Sequence, residues 1–288
     1  MNFSSYYKQL TIIVVAYHSN LIENLIKQIN SKIKIIIVEN SLDKNKKKYL
    51  EKKYKNIKVI IPSKNMGVGG GINIGLKATK TKYALHLSVD IKLDKKMVTT
   101  LVSNANKINN FIVLAPRDKK IKYPKDIFYN LVKKDNFHKI KLIAGYALLF
   151  NMSQVKKVGL FDEKIFLYFE EHDFFYRCRK KNLNIYLIDK ANVKHISHSS
   201  INKKYNHEIH VNRCWHYCWS KFYFYRKHFG YFYGFSKTFP NLVRSLKYFI
   251  KYTLKNNTKQ SSLHLAEIKG LFYSYIFMKS SRRPSISE

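Results

Sequence analysis

The feature that most constrains the fold is a strict alternation that runs from residue 10 to residue 90. LTIIVVAY (10–17), KIIIVEN (34–40), NIKVIIP (56–62) and YALHLSVD (83–90) are short apolar runs rich in Ile and Val. That pattern belongs to strands buried on both faces of a parallel sheet. Between them lie segments with helical spacing: Leu21, Ile22, Leu25, Ile26 and Ile29, then a Lys-rich stretch to residue 53, then 65-NMGVGGGINIGLKAT-79. Strand and helix in turn predict an α/β fold, a right-handed βαβ sheet with helices on both faces. After residue 90 the rhythm loosens. A helix is expected over 95–108, strands at FIVLAP and KLIAGYALLF (141–150), a short helix at MSQVKKVG, and closing strand segments at NIYLID and ANVKHISH. From Asn206 the composition shifts to aromatic residues interleaved with Lys and Arg, and mostly helix is expected. The reading is therefore a first domain over 1–205 and a helical extension over 206–288, with the tail KSSRRPSISE disordered.

Charge sets a second bound. With 54 Lys and Arg against 18 Asp and Glu the net charge is +36, which points either to an anionic partner or to a compositional bias toward Lys, Asn and Ile. Three cysteines, Cys178, Cys214 and Cys218, have no framework spacing, and the CxxxC pair lacks a second pair for zinc. No signal peptide is apparent, and no apolar run reaches the ~18 residues of a spanning helix. A cytoplasmic protein is expected, at most peripheral on the inner face of a membrane. In Trp215, Trp219, Phe222, Tyr223, Tyr225 and Phe229, interleaved with Lys221, Arg226 and Lys227, two readings stand side by side. They form either a basic amphipathic helix at an anionic membrane surface or a helix packed by its aromatics. No segment resembles a nucleic-acid-binding module, so no nucleic-acid partner is expected.

Three features fall where parallel sheets place ligands, at the carboxyl ends of strands. Glu39-Asn40-Ser41 offers either a carboxylate for a base or ribose, or a turn acid. The segment 67-GVGGGINIG-75 offers either backbone N–H groups for a phosphate or sugar, or a close helix–sheet contact. It follows the third strand rather than the first and lacks Gly-Lys-Ser/Thr, so it is neither a dinucleotide fingerprint nor a P-loop. Asp90 in Ser88-Val89-Asp90 is either a ligand for a hard cation or a helix-capping acid. Further on, 168-YFEEHDFFYR-177 concentrates Glu170, Glu171 and Asp173 in an acid-poor chain. On a helix Glu170 and Asp173 share a face and Glu171 points roughly 100° away. Acids in a first turn are also favoured by the helix dipole, and Asp173 has Arg177 at i+4.

Taken in order, VVAYHS, IIIVENS, NMGVGGGINIGL, LHLSVD, GYALLF, VGLFDEKIFLYFEEHDFFYRCRKKNLNIYLI and VKHISHSS resemble a family 2 inverting glycosyltransferase of the GT-A fold, most similar to its rhamnosyltransferase-like branch. The resemblance implies a Rossmann-like, mainly parallel sheet with flanking helices. It also implies sugar transfer with inversion from a nucleoside-diphosphate donor to a glycan or polyprenyl-linked acceptor, as in bacterial surface polysaccharide synthesis. It places nucleotide-sugar contacts at Ala16, Tyr17, Glu39, Asn65, Gly67, Gly70, Asn73, Ser88 and Asp90. A divalent cation, Mg²⁺ or Mn²⁺, falls to Asp90 and His195, with His172 and His198 as rival ligands. The catalytic base falls to Glu171, supported by Glu170 and Asp173. Ile188-Asp189 ends a strand where such proteins often have a proline, and two site positions depart from the family pattern as well: Ser88 stands where an Asp-x-Asp pair has its first acid, and Glu171 stands where an Asp is usual. They leave open a second expectation, a degenerate member that binds nucleotide or glycan without turnover.

Overall fold

The computed structural model of the chain describes residues 3–129, 137–196 and 206–284. The chain divides into two compact units, one made of Met1–Phe161 and Phe174–Ile201, the other of Asp162–Asp173 and Asn202–Glu288.

The first unit is an α/β sheet. Its elements run α1 (Phe3–Lys8), β1 (Leu10–Ala16), α2 (Ile22–Ile26), β2 (Lys34–Glu39), α3 (Lys44–Lys53), β3 (Ile57–Ile60), α4 (Gly67–Ala78), β4 (Tyr83–Leu87), β5 (Ile91–Leu93), α5 (Met97–Lys107), β6 (Val113–Asp118), β7 (Phe137–Lys139), β8 (Ala147–Asn151), α6 (Met152–Val158), α7 (Glu170–Lys180) and β9 (Ile185–His195), with a 3₁₀ turn at Lys125–Ile127. Helix α7 starts in the second unit and ends in the first. The strand order is β3-β2-β1-β4-β8-β6-β9-β5, with β7 paired to β9. The half built from β3, β2, β1 and β4 is parallel, as the alternation predicts. Antiparallel β8 then separates it from the parallel pair β6 and β9.

The continuous apolar runs are explained by burial on both faces. Ile12 and Val14 of β1 face one core with Leu85 and Leu87, while Ile13 joins another with Ile72, Leu76 and Phe150. Helix α4 lies close to β1 because two of its glycines leave room. A Cβ on Gly75 would stand 2.3 Å from Ile13 Cγ2, and one on Gly71 would stand 2.6 Å from Val15 Cγ1. The close-contact reading of this glycine-rich helix is therefore realised at Gly71 and Gly75. Gly67, with φ of 72°, opens the helix in a conformation that side chains disfavour.

Two sequence expectations shift. KLIAGYALLF is strand only over Ala147–Asn151, because pairing with β4 begins at Leu87 opposite Ala147. Upstream of that, Lys141 turns away and donates its N–H to Ile127 O at 2.7 Å. NIYLID and ANVKH are one strand whose register against β6 jumps from Pro116–Ile188 to Arg117–Asn192. The bulge projects Asp189, which accepts from Arg117 Nε at 2.6 Å and pairs with His138 Nε2 at 2.7 Å.

Among the described residues, the second unit holds the first turn of α7 and the helices α8 (Asn206–Phe229), α9 (Tyr231–Leu254) and α10 (Thr258–Tyr275). Here the packed-helix reading of the aromatic segment holds. Trp215, Trp219, Phe222 and Tyr223 are buried, with Trp219 stacked on Tyr223 at 4.9 Å, and only Phe229 among the six expected aromatics is strongly exposed. Gly270 lets α10 cross α8, since a Cβ there would meet Trp215 O at 2.2 Å. The tail expected to be disordered packs as far as Arg283. Arg282 donates to Glu208 at 3.0 Å and its carbonyl pairs with His216 Nε2, and Arg283 lies over the Phe166 ring at 3.7 Å.

Gly75→Val places a branched side chain where no Cβ fits, and the expected loss is ~3 kcal/mol of unfolding free energy. Urea denaturation of variant and parent checks this; an unshifted midpoint would show that α4 does not depend on the close approach.

Candidate active site

The carboxyl edge of β2, β1 and β4 carries the first group of polar residues. Glu39 ends β2 opposite Ala16, the last residue of β1. Ala16 is buried and enters through its backbone, its carbonyl accepting from Asn40 N at 2.8 Å. Tyr17 packs edge-on against His18 at 4.6 Å. Glu39 is fully buried, with Oε1 accepting from the N–H of Ser41 at 3.0 Å and from its hydroxyl. Its Oε2 has no hydrogen-bond partner, although Lys46 Nζ lies at 3.5 Å. A buried carboxylate oxygen left in this state is a spare acceptor.

Asn40 joins this edge to the glycine-rich helix. Its Nδ2 donates to Gly67 O at 3.0 Å and its Oδ1 accepts from Met66 N at 3.2 Å, while Asn65 Oδ1 accepts from Gly67 N at 2.9 Å. Gly70 has only the Met66 side chain near its Cβ position, at 3.0 Å. Asn73 sits deeper. Fully buried, it donates Nδ2 to Phe161 O and accepts Phe161 N–H, both at 2.9 Å. Its carboxamide thus ties α4 to the segment leading into the acids.

Asp90 and His195 are brought together across the β5–β9 pair, in which Ile91 faces His195. His195 Nε2 is 3.3 Å from Asp90 Oδ1, and Ser88 Oγ donates to that same oxygen at 2.5 Å. Burial would raise the Asp90 carboxyl, but the bonds from His195 and Ser88 outweigh it and hold the group below the usual carboxylate range. The spacing suits two ligands of one cation, because donors ~2.1 Å from an octahedral ion and at right angles lie about 3 Å apart. A carboxylate and an imidazole also suit Mn²⁺ or Mg²⁺ with diphosphate and water completing the shell. Among the described residues there is no cluster of three or more His, Cys, Asp or Glu able to hold a metal by themselves. His198 lies outside the described residues.

Two residues that hold His195 escape a motif reading. Tyr146 stacks on the imidazole at 4.7 Å with planes 13° apart, and burial raises its phenol far above the ordinary value. Asp118, buried at the end of β6, accepts His195 N–H at 2.9 Å. The signal for Asp118 was present, since it is another acid at a strand end.

Glu170, Glu171 and Asp173 begin α7 in the second unit. Tyr168 and Phe169, immediately before, have φ of 61° and 67°. Two successive bulky residues in the left-handed region are costly and persist only where surroundings hold them. Here the Phe169 ring packs with Phe224 and Tyr217, and Leu167 O accepts the Ser220 hydroxyl at 2.9 Å. Asp173 is fully buried and accepts from Lys227 Nζ at 2.5 Å and His228 Nε2 at 2.8 Å. Lys227 also reaches Asp162 at 2.7 Å, so it joins two carboxylates. Glu170 is buried, and its Oε2 has no hydrogen-bond partner; burial, then the neighbouring Glu171, raises its carboxyl well above the ordinary value. Glu171 is the most accessible of the three at 18 % side-chain exposure, with its Oε1 3.8 Å from His172 Nδ1. Burial pushes its carboxyl up to about 7. Such a group favours the folded state's protonated form, so stability falls as pH rises from the unfolded value near 4.5 toward 7 and is level above it.

Comparison with known proteins follows this geometry. The family model described as "Glycosyl transferase family 2" matches residues 11–166, more than half of the chain. The low-salt glycan biosynthesis hexosyltransferase Agl10 of Haloferax volcanii is 24 % identical over 197 residues, which are 61 % of this chain and 63 % of that relative. The chain thus spans somewhat under two thirds of the length of the curated relative it matches. Among solved structures, the fold is similar to GalNAc-T7 with UDP, GalNAc and Mn²⁺ (TM-score 0.58, 13 % identity, covering 76 % of this chain and 50 % of that one). It is also similar to the mannosyltransferase PcManGT of Pyrobaculum calidifontis in complex with GDP-Man and Mn²⁺ (0.56, 10 %, 94 % and 88 %) and to S. aureus TarS 1-349 (0.51, 14 %, 90 % and 90 %).

Two outcomes check the electrostatics. Lys227→Met removes the ammonium that Asp162 and Asp173 share, and chemical denaturation is expected to show a loss of about 2–3 kcal/mol. Glu171→Gln is expected to unfold like the parent at pH 4.5 and to be more stable by on the order of 2 kcal/mol at pH 8; equal stability at both pH values would contradict the raised proton affinity.

Proposed function

The chain belongs to glycosyl transferase family 2, and on that premise we propose that it transfers a sugar from a nucleoside-diphosphate donor to an acceptor hydroxyl with inversion, using a divalent cation. The observation that carries the proposal is the pairing of Asp90 with His195 at 3.3 Å, at the carboxyl edge of a sheet that also presents Glu39. Relatives of the same fold bind UDP or GDP-Man together with Mn²⁺, which supports a nucleotide donor and a metal here.

The roles follow from the chemistry of each group. Glu39 Oε2, buried and without a hydrogen-bond partner, takes a hydroxyl or N–H of the nucleoside. The backbone at Ala16, with Tyr17 and Asn65 on neighbouring loops and Gly67 and Gly70 in the first turn of α4, borders that position, and Asn73 acts by holding the α4 helix in place. Asp90 and His195 would hold the cation, which would supply charge stabilisation to a departing diphosphate. Ser88 and Tyr146 orient those two ligands.

Glu171 takes the proton of the attacking hydroxyl. A carboxylate with a proton affinity near neutral pH is matched to that task at physiological pH. Glu170 adds a second buried acid beside it, and Asp173, held by Lys227 and His228, fixes the first turn of α7. The donor is a dTDP-rhamnose or UDP-hexose type of nucleotide sugar, and the acceptor a glycan or lipid-linked glycan. A lipid-linked acceptor would suit attachment at the inner face of an anionic membrane.

A panel of nucleotide sugars incubated with Mn²⁺ or Mg²⁺ tests the reading, with release of nucleoside diphosphate as the readout. Slow metal-dependent release from at least one donor is expected, and the apparent rate should rise with pH through about 7 as Glu171 ionises. Asp90→Ala should weaken nucleotide binding at least tenfold in Mn²⁺ and leave metal-free binding nearly unchanged. Donor binding without release under any condition would instead favour a non-catalytic binding protein.

A further inference from the structure

Helix α9 carries apolar residues on two faces. Inward, Tyr231, Phe235 and Leu242 pack against Phe222, Leu271 and Tyr275 beside small and polar residues. A Cβ on Gly234 would stand 3.0 Å from Arg226 N, buried Thr238 pairs with Tyr275 OH at 3.0 Å, and buried Ser245 donates to Glu267 at 2.7 Å. A second set of large apolar residues points outward. Phe232, Phe239, Val243, Leu246, Ile250 and Leu254 are 42 to 86 % exposed, and at 100° per residue they fall within an arc of about 80° running the length of the helix. A continuous exposed apolar stripe of this kind marks an interaction surface.

The charge beside the stripe selects the partner. Helix α9 has no acidic residue, and Lys237, Arg244, Lys247 and Lys251 occupy one flank. Among the described residues, Lys237, Lys247 and Lys251 have no ion pair. Two copies packed stripe to stripe would bring these flanks of like charge near each other. An anionic bilayer accepts both features at once, with the stripe in the acyl boundary and the lysines at the headgroups. The helix spans about 36 Å at 1.5 Å per residue, and no described helix is long and apolar enough to cross a membrane.

We propose that α9 lies in the plane of an anionic lipid surface and seats the chain there through Phe232, Phe239, Val243, Leu246, Ile250 and Leu254. This site is not on α8, whose Trp215, Trp219, Phe222, Tyr223 and Phe224 are buried. The inference stands apart from the catalytic reading, although a lipid-linked acceptor would be met at that surface.

Flotation of the full chain with phosphatidylcholine vesicles, with and without phosphatidylglycerol, tests it. Binding to the anionic vesicles is expected and should weaken with salt. Phe232→Ser/Val243→Ser/Ile250→Ser, all on exposed positions, should lower the bound fraction at least about tenfold while circular dichroism and nucleoside-diphosphate release stay at parental levels. Lys247→Glu/Lys251→Glu should abolish the preference for phosphatidylglycerol. The proposal is overturned if the parent ignores anionic vesicles, or if the triple variant binds them equally. It is overturned too if sedimentation shows a parental dimer that the triple variant dissolves with vesicle binding unchanged, since the stripe would then join two copies. A parent chain that turns over donor yet ignores anionic vesicles removes this proposal alone and leaves the transferase reading in place.

Discussion

The two hydrogen bonds between Asn73 and the backbone of Phe161 are the constraint on which the rest of the candidate site depends. Asn73 lies in the glycine-rich helix, whose own position is set by Gly71 and Gly75 against β1. Phe161 is the residue after which the chain leaves the sheet unit and begins the acidic segment. A buried carboxamide satisfied by one residue's N–H and C=O is rigid, because either bond lost would leave a buried polar group unpaired. Arg177 reinforces the same stretch by donating to Val158 O at 3.0 Å and Leu160 O at 2.7 Å. The helix that opens at Gly67 thus has two anchors, Asn40 at the carboxyl edge of β2 and Phe161 at the end of the sheet unit.

Burial and pairing divide the acids into electrostatic classes. Asp173 and Asp162 share Lys227, with His228 also on Asp173 and Tyr223 on Asp162, an arrangement whose value is that breaking it would strand buried charge. Asp90 is kept ionised by His195 and Ser88. Glu170 and Glu171 have no such compensation, and their proton affinity rises instead. A protein with only 18 acidic residues has therefore placed them in three different electrostatic states, and the uncompensated pair follows two residues of left-handed backbone at Tyr168 and Phe169.

Much of this was legible in the sequence where local pattern and tertiary demand coincide. Strands β1 to β4 read clearly because burial on both faces makes each one a continuous apolar run. Glu39 and Asp90 read as strand-end acids, and the i, i+3 spacing of Glu170 and Asp173 set Glu171 apart. The missing parts are long-range. Lys227 and His228 lie more than fifty residues from Asp173, and the bulge at Asp189 answers to Arg117 and His138 across the sheet. The positive φ at Phe169 has no glycine to announce it. Aromatic density on α8 suggested a surface as readily as a core, and only packing shows that Trp215 and Trp219 are inside while the outward stripe belongs to α9.

The central claim is that Glu171 performs the proton transfer an aspartate usually performs in this family, and steady-state turnover of Glu171→Gln alongside donor affinity tests it most directly. Gln keeps the shape and removes the basicity, so turnover should fall by on the order of a thousandfold while the dissociation constant for the donor stays within about twofold of the parent. Turnover within tenfold of the parent, with donor binding intact, would contradict the assignment and move the base to another group.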